Sequence, residues 1–197
     1  MNVMSDFWIY FQLAWKHVLD IKNYTFILFL IALAIPYSFK EWRKLLVLVA
    51  FFAIGELVAM LLSFFGIVII KLNLKESLIP ITILITAIFN LFVIGKSHKG
   101  NGINLIGFFV LFFGITHGLG FSNNFKSVTT GNLSAKIVPL FEYTLGIQAA
   151  QILVLLLVLI VSYVVQNFFR LSKRDFILVS SSFIIGVVLP EIIKKIL

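Results

Sequence analysis

The chain has 197 residues, 61% of them hydrophobic and 12% charged, with a formal net charge of +8. Its mean hydropathy of +1.11 is far above what a water-soluble domain of this length requires, and lipid is the natural solvent for the excess. Cysteine is absent, which excludes disulfides, thiolate metal sites and cysteine nucleophiles.

The apolar runs are continuous and do not alternate, so helices and not a closed barrel are expected to satisfy the backbone inside the hydrocarbon. The expectation is a single domain over residues 1–197, an all-α polytopic transmembrane bundle of about six to seven helices. Met1 to Asp6 lacks the basic n-region of a signal peptide, so the N-terminus is expected to be retained. Lys and Arg collect between the apolar runs, where they meet anionic lipid headgroups, and no nucleic-acid partner is expected.

The first predicted helix, about Asp6 to Leu19, is short and aromatic and is expected to lie at the interface or re-enter the membrane. The second runs from Tyr24 to Phe39, with Pro36 near its end. The third, Leu45 to Ile70, carries Glu56 near its middle. After the polar turn Lys71 to Ser77, the fourth covers Leu78 to Gly95, with Thr82, Thr86 and Asn90 on one stripe. The loop Lys96 to Asn104 leads to the fifth, Leu105 to Gly120. Phe121 to Lys136 is predicted to be the longest polar loop. The sixth, Ile137 to Phe169, exceeds the bilayer thickness and must tilt or project. The seventh takes Phe176 to Ile193.

The turns after helices two, four and six hold Lys40, Arg43, Lys44, Lys96, Lys99, Arg170, Lys173 and Arg174. Lys22, Lys71, Lys75, Lys126, Lys136, Lys194 and Lys195 fall on the other side. The positive-inside rule narrowly favours a cytoplasmic location for the first set. Trp8, Trp15 and Trp42 read as interface anchors.

An ionisable side chain in a spanning helix is costly unless paired or hydrated, so each one is a candidate for function. Glu56 has two open readings, a protonated carboxyl bonded across helices for packing or a group on an ion pathway. His117 sits within Gly114-Ile-Thr-His-Gly118, a small-xxx-small spacing that brings two helix backbones close. Its imidazole can ligate a metal, shuttle protons or satisfy a neighbour. His17 and Asp20, three apart, share a helical face that offers one nitrogen and one oxygen to a cation; interfacial residues beginning a turn are the alternative. Glu142, Gln148 and Gln151 on the sixth helix, with Asn90 on the fourth, are polar groups that serve either as pathway residues or as interhelical glue.

Taken together, HVLD at His17 to Asp20, LFLIALAIP at Leu28 to Pro36, Asn90, FGITHGLGF at Phe113 to Phe121 and LGIQAAQ at Leu145 to Gln151 resemble the HupE/UreJ family. These segments fall in order within about residues 7 to 160. The resemblance implies a membrane permease or accessory protein associated with nickel supply to hydrogenase and urease. It also implies a multi-pass protein of the bacterial inner membrane. His17, Asp20, Glu56 and His117 are then candidate metal residues, and Glu76, Asn90, Glu142, Gln148 and Gln151 candidate pathway residues. Expected partners are the bilayer, a divalent ion of the nickel or cobalt class, a second copy of the chain or metalloenzyme-maturation proteins.

The chain also departs from the family pattern. Where the family typically carries an Asp-His pair, this chain has Thr25-Phe26; an Ala/Gly-His step is replaced by Gly55-Glu56, and a Gly-Val/Ile-Glu step by Gly146-Ile147-Gln148. The remaining set is richer in oxygen than in imidazole, the ligand suited to nickel. Two functions follow, a divalent-cation permease or facilitator and a non-transporting accessory subunit with an eroded metal site. No Walker A motif is present, so any movement is passive or ion-coupled. No G-x-S-x-G or H-E-x-x-H motif accompanies His117, and Ser122 is predicted to lie in the loop, so no enzyme activity is expected.

Overall fold

The computed structural model of the chain describes residues 3–68, 72–94 and 102–196. These residues form seven α-helices and no strand: α1 Val3–Leu19, α2 Tyr24–Ala34, α3 Trp42–Phe64, α4 Leu72–Val93, α5 Gly102–Val128, α6 Ile137–Asn167 and α7 Lys173–Ile196. Four stretches are long and apolar enough to cross a bilayer: Phe39–Phe64, Ile106–Val128, Ser134–Asn167 and Lys173–Lys194. Trp8–Leu19 and Tyr24–Ala34 form a pair bent by 73° that together passes the same test as a broken span or re-entrant loop. The bend falls at Asp20, whose carboxylate accepts the Lys22 N–H at 2.9 Å and caps the following 3-10 turn.

Helix ends differ from the expected ones for identifiable reasons. α2 stops at Ala34 and not Phe39 because Pro36 has no N–H to continue the ladder and disfavours helical backbone at Ile35. α3 stops at Phe64 and not Ile70. Gly66 takes a left-handed conformation (φ 75°), its N–H bonds the Ser63 carbonyl, and the Ile67 N–H reaches back to Leu62, an arrangement that closes a helix.

α5 runs to Val128, absorbing half of the predicted polar loop. Phe121 and Phe125, four apart, are 4% and 1% exposed and extend an apolar stripe that keeps the segment helical. The polar residues between and beyond them find partners. Asn124 accepts the Tyr143 hydroxyl at 2.6 Å, and Lys126 Nζ donates to the Ser63 carbonyl at 2.6 Å, a cation placed at the C-terminal end of α3. Ser122 is therefore a buried helical residue and not a loop residue. α6, at 31 residues, measures roughly 46 Å, well beyond a hydrocarbon core of about 30 Å.

α3 and α5 make the most extensive helix pair, and glycines account for it. A Cβ on Gly55 would collide with the Leu111 carbonyl, one on Gly114 with the Phe52 carbonyl and one on Gly118 with the Glu56 backbone. α1 lies on α6, where Gly146 admits the Phe11 carbonyl and Ala14. α2 has only 11 residues but sits at the centre, packed by α4, α6 and α7, with Phe29, Leu30, Ala32 and Ala34 fully buried. Large apolar side chains such as Ile54, Phe108, Phe112, Ile152 and Phe183 point outward, the surface a membrane protein offers to lipid.

Gly114→Ala is expected to destabilise the protein by about 1–3 kcal/mol through forced separation of two backbones. Gly186→Ala, where an added Cβ meets nothing within 4 Å, is expected to be neutral or stabilising. Thermal unfolding of both variants in one detergent checks the contrast.

Candidate functional site

The polar interior falls into two layers on either side of the α3–α5 contact. In the first, Glu56 is 1% exposed and turned toward α6. Its Oε2 accepts two amide N–H groups, from Gln148 at 3.0 Å and Gln151 at 2.6 Å. The two glutamines are three residues apart and so share one helical face. Glu56 Oε1 and Gln151 Oε1 are both buried and accept no hydrogen bond among the described residues. No described cation pairs with Glu56: the ion pairs among the described residues are both on Glu41. The layer thus has two neutral donors on one carboxylate oxygen and two acceptor oxygens left over.

In the second layer His117, also buried, faces α2 and α4. Its Nε2 lies 3.0 Å from Thr82 Oγ1, and that hydroxyl donates its proton to the Ile79 carbonyl at 2.8 Å. With the hydroxyl proton committed, Thr82 accepts from an Nε2–H, which leaves Nδ1 as the basic ring nitrogen. Three phenyl rings close around the imidazole, Phe29 at 4.6 Å and Phe26 and Phe52 at 5.5 Å between centroids. Phe52, one turn from Glu56 on α3, stands between the layers.

The other candidates are distributed around these two. Asn90 donates to the Ala32 carbonyl at 2.7 Å. Ala32 is four residues before Pro36, so Asn90 supplies the bond that the missing proline N–H cannot. Thr86 donates to the Thr82 carbonyl, so each member of the predicted stripe has a definite task. His17 packs edge-on against Phe121 at 5.8 Å, while Asp20 caps the turn between α1 and α2. Glu142 is buried on α6. The side chain of Glu76 lies outside the described residues.

Among the described residues no three His, Asp or Glu side chains gather into a group able to hold a metal ion. His17, Asp20, Glu56 and His117 are thus not brought to one point. Glu56 is joined to Gln148 and Gln151, and His117 to Thr82. The phenyl rings around His117 and the Lys126–Ser63 tie were not foreseen. For Thr82 the stripe on α4 was a usable signal, whereas nothing local in the sequence marks Phe26 or Phe52 as neighbours of His117.

A carboxylate, two amides and an imidazole enclosed by long apolar helices define a helical membrane protein with a polar interior. The chain belongs to the HupE/UreJ family: a family model described as HupE / UreJ protein matches residues 1–193. No curated protein and no solved structure matches the chain.

Asn90→Leu is expected to leave the Ala32 carbonyl unpaired in the core and to cost about 1–3 kcal/mol. Thr86→Val removes a hydroxyl that bonds only within its own helix and is expected to stay within about 0.5 kcal/mol of the parent. Unfolding titrations of the purified variants separate the two.

Proposed function

We propose that the chain is a permease or facilitator for a divalent transition-metal cation of the nickel or cobalt class, with Glu56, Gln148 and Gln151 as the polar station along its path. The observation that carries this reading is the pair of buried acceptor oxygens, Glu56 Oε1 and Gln151 Oε1, without hydrogen-bond partners among the described residues. A cation shedding part of its hydration shell needs such oxygens. Family membership supports metal handling as the setting. His117, Asn90 and Glu142 belong to the same interior, and the bacterial cell membrane is the proposed compartment.

A second reading, a non-transporting accessory subunit, is favoured by one specific feature. Phe26, Phe29 and Phe52 occupy the space around His117, where an ion would need further nitrogen or oxygen ligands.

Proteoliposomes decide between the two. The permease reading expects Ni²⁺ or Co²⁺ uptake above empty vesicles, reduced roughly tenfold or more by Glu56→Gln, in line with loss of a charged ligand from a dry site. Uptake no greater than in empty vesicles leaves the accessory reading. Thr25→Asp with Phe26→His is expected to raise nickel affinity in calorimetry if the space around His117 is a metal cavity; unchanged binding counts against it.

A further inference from the structure

One end of the bundle gathers basic and aromatic side chains from two segments far apart in sequence. Lys173 Nζ, at the start of α7, bonds Glu41 Oε2 at 2.7 Å, at the start of α3. Phe39 packs edge-on against Tyr163 of α6 at 5.9 Å. These two contacts join the turn before α3 to the α6–α7 connection.

The joined surface carries Lys40, Arg43, Lys44, Arg170, Lys173 and Arg174, six cations, against Glu41 and Asp175, an excess of four positive charges. Glu41 is shared by Lys44 and Lys173, and Asp175 is engaged by Ser172. Lys40, Arg43, Arg170 and Arg174 are exposed and make no ion pair among the described residues. The N-terminal ends of α3 and α7 open on the same surface and add partial positive charge.

Two details point to a lipid and not a dissolved anion. Phe168 and Phe169 are 80% and 69% exposed and packed edge to face, and Trp42 is exposed beneath the Arg43 guanidinium at 5.5 Å. Aromatic rings beside cations are the combination that sits at a membrane interface, rings toward the acyl chains and charges toward the headgroups. In addition, Arg170 has a positive φ of 56°, a turn position where glycine is the strain-free residue. This conformation closes α6, the Leu171 N–H reaching back to the Val165 carbonyl.

We infer that this corner, with Arg43, Arg170 and Arg174 as the headgroup contacts and Trp42, Phe168 and Phe169 as the interfacial anchors, is a binding surface for anionic phospholipid. The arginines attract the phosphate by their positive charge, and the ion pair of Glu41 with Lys173 keeps the two segments in register.

The test is lipid retention by the full chain, measured by native mass spectrometry from detergent mixed with phosphatidylglycerol or phosphatidylcholine. The parent protein is expected to retain phosphatidylglycerol preferentially. Arg43→Gln, Arg170→Gln and Arg174→Gln combined should lower that retention about tenfold or more, since each basic residue near an anionic surface contributes roughly a fivefold factor. Lys22→Gln, Lys136→Gln and Lys194→Gln combined, at the other end, should leave it unchanged. The triple Arg→Lys variant, which keeps the charge, should recover most of the retention and shows that loss in the glutamine variant is not misfolding. Equal retention of the two lipids, equal loss in both glutamine variants, or displacement of the lipid by inorganic phosphate overturns the inference.

Discussion

The close approach of the α3 and α5 backbones at Gly55, Gly114 and Gly118 sets the positions of the other functional groups. In lipid, apolar side chains gain little by touching one another, so association depends on packing at short range and on polar contacts. With no side chain between them, the two helices act as one rigid pair. Glu56 leaves this pair on the side of α6 and His117 on the side of α2 and α4. The two layers of the interior are consequences of that single contact.

That α3 is the partner was not legible in the sequence, but a close approach of two backbones at Gly114 and Gly118 was, because the two show the required spacing and lie in one apolar run. The number of helices was legible for the same reason, since composition and breaks in the apolar pattern register directly in length. Helix ends were less so. The polar letters after Gly120 suggest a loop, yet Phe121 and Phe125 are enough to bury one face of a further two turns, and Asn124 and Lys126 find partners on α6 and α3. Such partners come from distant segments and leave no local signal. Within the candidate site, Glu56, Gln148 and Gln151 were each visible as polar residues in apolar surroundings. That they meet, and that His117 is surrounded by phenyl rings, depends on the crossing of helices that sequence spacing does not encode.

The departures from the family pattern read differently once their neighbours are known. Glu56 stands where the resemblance implies a histidine, and Gln148 where it implies a carboxylate. The two are hydrogen-bonded to each other at 3.0 Å. A carboxylate on α3 and an amide on α6 thus form a polar link between the two helices. Phe26, at a position where a histidine is implied, lies against both His117 and Phe121. There an apolar ring keeps the surroundings of the imidazole dry. One layer is joined by polar groups, while the other is enclosed by phenyl rings.

The bond from Asn90 to the Ala32 carbonyl bears on how the chain is assembled. α2 is synthesised well before α4, and until α4 arrives the carbonyl opposite Pro36 has no partner, a state that hydrocarbon penalises. A half-length helix with an open end gains little from dwelling in lipid by itself. Its stable residence at the centre therefore follows the insertion of α4, and the innermost element of the finished protein is among the later ones to settle during biogenesis.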